Sequence, residues 1–147
     1  MEYTVKVDEN GNVIYYKPGT NIRHRLDGPA AVYYDGHEEW YIDGKIHRDD
    51  GPAYVEKSGY KAWYKEGLRH REDGPAVVSQ SGPEAWYKEG MLHREDGPAL
   101  VFSDGREEWW IDGKQFSREE FENRTKQDKV RTFTVPVDTK EIRIQLE

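Results

Sequence analysis

Cysteine is absent from this chain, which excludes disulfides and thiolate metal sites. Long apolar runs are also missing. No stretch reaches the ~18 residues that a membrane span needs. The opening segment MEYTVKVDENG has neither a basic nor an apolar region of the kind a secretion signal carries. Cytoplasmic residence is the resulting expectation. Excess basic charge is lacking too: 22 Lys+Arg stand against 29 Asp+Glu, a formal net charge of −7. A broad nucleic-acid-binding surface is therefore not expected. Apolar residues are only 35% of the chain and mean hydropathy is −1.06, close to the composition of a disordered polymer. Two features oppose disorder. Aromatics make up 13% of the residues, and they recur at fixed positions.

The recurrence is a repeat of 23 residues. Asp-Gly-Pro-Ala occurs at Asp27–Ala30, Asp50–Ala53, Asp73–Ala76 and Asp96–Ala99. The same step links His24, His47, His70 and His93, each followed by Arg25, Arg48, Arg71 or Arg94. It links Gly36, Gly59, Gly82 and Gly105, then Trp40, Trp63, Trp86 and Trp109, then Gly44, Gly67, Gly90 and Gly113. The residue after each Trp is again aromatic: Tyr41, Tyr64, Tyr87 and Trp110. Atypical ends are expected of an array whose terminal faces must meet water. Accordingly 1–23 reads as a degenerate N-terminal unit, 24–115 as four repeats and 116–147 as a C-terminal cap, all within a single domain.

Alternation and turn residues point to strands. Asp35-Gly36 and Asp104-Gly105 are hairpin signals, and Asp43-Gly44 and Asp112-Gly113 are turn-like. Pro29, Pro52, Pro75 and Pro98 stand at strand starts, where a missing N–H does least harm. The apolar period is 2 rather than 3.6. The spacing predicts an all-β repeat array of antiparallel β-hairpins, one per unit, with Gly44 to Pro52 as connection to the next. One face would carry the Trp column with Ala30/Val32 and their copies, and would be the core. The other would carry the Tyr41–Tyr64–Tyr87–Trp110 row, partly exposed. In the cap, Ser117-Arg118-Glu119-Glu120 is a capping box, and Phe116 with Phe121 occupy the staple positions. A short helix to about Lys126 or Lys129 and a final hairpin around Asp138-Thr139 are expected.

The segment Glu39-Trp40-Tyr41-Ile42-Asp43-Gly44-Lys45-Ile46-His47, with its copies, resembles a variant of the MORN repeat. The likeness covers about residues 10–116 and lies in the unit length, the Trp, the following Gly and the His. Arg48, Arg71 and Arg94 stand where that family has Gly after His. The His-Arg-x-x-Gly-Pro-Ala form is similar to repeats of bacterial and phage proteins. The resemblance implies a β-hairpin repeat fold and binding of proteins or lipid head groups rather than catalysis.

The His-Arg-x-Asp box places a titratable ring, a cation and a carboxylate within four residues. An active site needs one such constellation, and here equivalent ones stand in a row. A turn rebuilt in every unit explains them, with Asp27, Asp50, Asp73 and Asp96 accepting local backbone N–H groups. A shared metal is not expected, because equivalent His residues two strands apart are separated by ~10 Å. No cofactor is expected either. His37, which has no copy, reads as an exposed turn residue. The Tyr41, Tyr64, Tyr87 and Trp110 row is the leading candidate for a protein partner, since such rings bring area at low entropy cost. The expected function is non-enzymatic protein binding, conceivably as a phage-encoded inhibitor of a host factor. Two alternatives stand beside it: capture of a small nucleotide-like anion by Arg48, Arg71 and Arg94, and mimicry of nucleic acid by the dispersed acidic surface.

Overall fold

The computed structural model describes residues 2–131. Within them the protein is the antiparallel all-β hairpin array that the spacing predicts, followed by one C-terminal helix. The hairpin expected around Asp138-Thr139 lies outside the described residues. Eleven strands form one long sheet whose spatial order follows the chain, from Thr4–Val7 and Val13–Tyr16 at one end to Glu107–Ile111 and Lys114–Phe116 at the other. Every pairing is antiparallel.

Each repeat holds two hairpins rather than the single one expected. In the first complete unit, Ala31–Val32 and Glu38–Glu39 belong to the long sheet. Tyr41–Ile42 and Lys45–Ile46 then form a separate short hairpin inside what was read as a return strand and a connection. The turn residues explain it. Asp43 and Gly44 both take positive φ, 54° and 77°. That is the two-residue turn whose twist suits a tight hairpin. Glu66-Gly67, Glu89-Gly90 and Asp112-Gly113 repeat the geometry. The long-sheet turn is of another type. Gly36 (φ 86°) donates its N–H to the Tyr33 carbonyl, and Tyr33 donates to the His37 carbonyl. The third repeat breaks this rule at Gly82, which lacks the positive φ of Gly36, Gly59 and Gly105. Pro83 follows it and favours extended backbone for the residue before.

The Trp column marks the seam where the chain leaves the long sheet. Trp40, Trp63 and Trp86 donate their N–H groups to the carbonyls of Ala53, Ala76 and Ala99 in the next unit, at 2.8, 2.8 and 2.7 Å. The short hairpins are joined as well: Gly67 N–H reaches the Ile46 carbonyl at 2.9 Å, and Gly90 N–H reaches that of Arg69 at 2.8 Å. Consecutive units thus share two hydrogen-bonded rows, as nearest-neighbour stacking requires.

Alanine, not tryptophan, fills the buried positions. Ala30, Ala53, Ala76 and Ala99 are fully buried, and no large side chain is. The Trp column, expected as core, is half-buried. A contiguous buried cluster of Ala62, Val77 and Ala85 lies instead on the tyrosine side, with Tyr54, Tyr60, Tyr64, Tyr87, Leu92 and Leu100 against it. A sheet ladder has no facing layer to enclose a large ring on both sides, so only small side chains disappear completely. The helix Arg118–Arg131 closes one end. Its capping box forms as expected: Glu120 N–H donates to Ser117 Oγ and Ser117 N–H to Glu120 Oε2. Phe121 is buried, and the helix meets mainly the last two strands. No helix among the described residues is long and apolar enough to cross a membrane.

Candidate functional site

The arginine column is built into a clamp. The guanidinium carbons of Arg48, Arg71 and Arg94 lie 4.2, 4.0 and 4.1 Å from the ring centroids of Trp40, Trp63 and Trp86. Arg25 covers Tyr15 likewise at 4.0 Å, so the degenerate unit keeps the device. Each Nε donates to the Asp two residues on, at 2.9 Å for Arg25–Asp27, 2.7 Å for Arg48–Asp50, 2.9 Å for Arg71–Asp73 and 2.7 Å for Arg94–Asp96. A terminal nitrogen donates to the carbonyl of the Pro four residues on. The Gly between them is a matter of room: a Cβ at Gly74 would stand 3.0 Å from Arg71 Cζ, and at Gly51 3.1 Å from Arg48 Cζ. Asp50 and its copies therefore serve arginine, where local backbone N–H groups were expected as their partners. The hydrogen bond from arginine holds the carboxyls of Asp27, Asp50 and Asp73 below the usual carboxylate range. Each of these arginines spends two of its five N–H donors within its own turn and has its charge paired with an aspartate, which disfavours capture of a small anion.

The histidine column braces the short hairpins. Glu66 N–H donates to His47 Nδ1 at 3.0 Å, and Glu89 N–H to His70 Nδ1 at 3.2 Å. Asp43 and Asp112 do the same toward His24 and His93. In every case the donor is the first positive-φ residue of the next tight turn along the chain. The Nδ1 of His24 and of His93 also lies 2.8 and 2.7 Å from the Asp43 and Asp112 carboxylates, whereas that of His70 accepts the Glu89 N–H and is bare, with the ring proton on Nε2. From there His47 faces Asp49 at 3.2 Å and His70 faces Glu72 at 2.9 Å. His47, His70 and His93 are thus struts from the end of one short hairpin to the turn of the next, engaged at both nitrogens. Among the described residues no three His, Asp or Glu side chains are grouped to hold a metal ion.

Tyr41, Tyr64 and Tyr87 of the aromatic row stand on the short hairpins, and Tyr64 and Tyr87 border the depressions that Trp63 and Trp86 line. Strand register aligns Glu39, Tyr54, Ala62, Val77, Ala85, Leu100 and Glu108 across the array. Tyr41, Tyr64, Tyr87 and Trp110 follow two residues after Glu39, Ala62, Ala85 and Glu108, one ring per unit, and all four are half-buried. Arg23 lies over Tyr41 at 5.2 Å, and Arg69 lies between Tyr64 and Tyr87 at 5.9 and 5.3 Å. Arg69 Nε also donates to the Tyr64 hydroxyl. Trp110 Nε1 donates to Glu108. Burial, aided by a hydrogen bond to Glu56, pushes the Tyr54 phenol up to about 12.

One cluster on this face has no counterpart elsewhere in the array. The His37 ring stacks on Tyr33 at 3.7 Å between centroids and faces Tyr54 at 5.6 Å. Its Nδ1 lies 2.9 Å from Asp35. The carboxylate of Glu39 accepts from Arg23 at 3.0 Å and from Tyr33 at 3.1 Å. His37 was expected to be an exposed turn residue, yet only 21% of its side chain meets solvent. The signal in the sequence was the interruption of the repeat: Glu39 stands where Ala62 and Ala85 stand. Burial, with Glu39 nearby, raises the phenols of Tyr33 and Tyr41.

On the tryptophan side, four depressions of about 430, 550, 700 and 530 Å³ follow one another along the array. The first three are walled by successive Arg-x-Asp turns, with a Trp and its neighbouring short hairpin between them. The last is closed by the helix through Arg118, Phe121 and Glu122.

Compared with models of known protein families and with curated proteins, the chain matches none.

Proposed function

We propose that this protein is a non-enzymatic binding scaffold, a MORN-like hairpin array that holds a protein partner on its tyrosine face. The observation that carries the reading is the alignment of Tyr41, Tyr64, Tyr87 and Trp110. Each is half-exposed, and each is set by its own short hairpin on a continuous hydrogen-bonded ladder. Rings held rigidly at a constant step offer amphipathic contact area without further ordering cost. Glu39, Glu108, Arg23 and Arg69 supply a charged frame around the row. The column arginines are engaged with Trp, Asp and Pro, which disfavours the reading as an anion trap. The repetition of the His-Arg-x-Asp box favours scaffold over catalyst. The reading extends to a cytoplasmic inhibitor of phage origin that sequesters a host protein, and this part rests on the likeness of the repeat to phage and bacterial sequences.

The test is site-specific photo-crosslinking. A photoreactive phenylalanine is placed at Tyr87 in one sample and at Tyr34, an exposed residue remote from the row, in another. A partner that crosslinks from Tyr87, fails to crosslink from Tyr34 and stays bound at high salt supports the reading. Retention that collapses with salt would transfer the function to charge capture.

A further inference from the structure

The depressions on the tryptophan side are one groove. The turn at Arg48–Asp50 walls the first and second, the turn at Arg71–Asp73 the second and third, and Glu95 with Asp96 the third and fourth. Each contains one tryptophan of the column, in the order Trp40, Trp63, Trp86, Trp109. Equivalent tryptophans are two strands apart, which sets the groove's step at ~9.6 Å. A polyproline II helix advances ~9.3 Å over its three-residue turn and shows the same face at every third residue. The accumulated mismatch over the whole column is ~1 Å, within the reach of a side chain. A β-strand ligand repeats a face every ~6.8 Å and falls out of step after one unit.

The walls select charge. Asp49, Glu72 and Glu95 occur once per step and their side chains are 81%, 75% and 79% exposed. Each uses one oxygen toward the Nε2 of a histidine and has a second one to offer. In each of the two middle depressions four carboxylates face two arginines and one lysine, Lys65 or Lys88. The arginines are already paired to Asp50, Asp73 and Asp96 and lie flat on indoles, so the outward-facing charge is acidic.

We propose that this groove binds a polyproline II segment with a lysine or arginine at every third position. Its prolines occupy the successive depressions, beside the arginine-covered tryptophans, and its cations reach Asp49, Glu72 and Glu95. Tyr64 and Tyr87 border two of these depressions, so the two proposals are separated by their readouts: the peptide titration depends on Asp49, Glu72 and Glu95, which the crosslinking test does not probe.

The experiment titrates the full chain with a synthetic peptide repeating Pro-Pro-Lys, followed by tryptophan fluorescence and calorimetry. The controls are a peptide of the same composition with its lysines gathered at one end, and a Pro-Pro-Glu repeat. The spaced lysine peptide is expected to bind about tenfold tighter than the gathered one, and the glutamate peptide not at all. The variant Asp49→Asn/Glu72→Gln/Glu95→Gln keeps an oxygen for each histidine, and should weaken binding by about tenfold with its melting curve unchanged. Hydrogen exchange on the unmodified protein gives a readout independent of that variant's folding. Protection is expected at the Arg48–Ala53, Arg71–Ala76 and Arg94–Ala99 turns. Failure of the spaced peptide to bind overturns the proposal. So does equal affinity for the two lysine peptides, or protection confined to the Gly36, Gly59 and Gly105 turns of the long sheet.

Discussion

Arg71 lies flat over Trp63, its guanidinium carbon 4.0 Å from the ring centroid, and this pair accounts for most of the motif that follows it. Asp73 takes Nε, the Pro75 carbonyl takes a terminal nitrogen, and Gly74 leaves the space that the guanidinium fills. A lysine could not reproduce this planar, three-way engagement. The Arg-x-Asp-Gly-Pro string is thus a single device for covering an indole that the sheet cannot bury.

Arg71 and Gly74 should therefore be coupled. A Cβ at Gly74 meets the Arg71 guanidinium at 3.0 Å, and Gly74→Ala is expected to cost about 1–2 kcal/mol by displacing it. Arg71→Met should cost about 1–2 kcal/mol through the lost ring contact and hydrogen bond. In the Arg71→Met background, Gly74→Ala should be nearly neutral. Chemical denaturation of the two single variants and the double variant measures the coupling, and simple additivity would refute the clamp.

His70 holds the Glu89 turn from the end of the preceding short hairpin through a bare Nδ1. Long-range proton–nitrogen correlation at neutral pH should show the Nε2–H tautomer for His70. His70→Ala is expected to destabilise by about 1 kcal/mol, with hydrogen exchange accelerated at Glu89. His47→Ala should act alike at Glu66. A histidine whose removal leaves both stability and exchange untouched would contradict the strut.

Modularity gives a third test. Removing residues 48–70 deletes one whole unit, after which Arg71 follows His47 and the same hydrogen bonds re-form. The shortened chain should fold cooperatively with a smaller denaturant m-value. Removing residues 48–59 takes out the strand Tyr54–Val55 alone. That places Glu38–Glu39 beside Lys61–Ala62, two strands that run parallel in an antiparallel ladder. This second deletion should fail to fold, as circular dichroism and melting would show.

Acid should weaken the array through the aspartates of the clamp. Arginine lowers the folded-state pKa of Asp27, Asp50 and Asp73 below the ordinary aspartate value of 3.8. Their stabilisation is complete above that value and is lost as pH falls through the folded pKa. Melting temperature should therefore drop on acidification below 3.8. In Asp50→Asn/Asp73→Asn the melting temperature should be lower at neutral pH and the acid decline shallower. An unchanged acid limb would show that these pairs do not carry the dependence.

The repeat, its length, the strands and the capped helix were legible in the residues themselves. Turn glycines, strand-start prolines and the Ser117–Glu120 box are local signals, and local backbone geometry answers to them. The Asp43-Gly44 turn was visible too, although its consequence, a second hairpin per unit, depended on both residues taking positive φ. What the sequence could not determine was which side of the sheet would bury its rings. Alternation distinguishes two faces but does not say what lies over each. Arg71 reaches Trp63 across eight residues, and His37 comes between Tyr33 and Tyr54 from two different strands. Contacts of that kind arise only when the ladder sets its register and twist. Tertiary structure alone decided that the tryptophans are roofed by arginine, that alanines form the buried line, and that Glu39 and His37 meet in a cluster no other unit repeats.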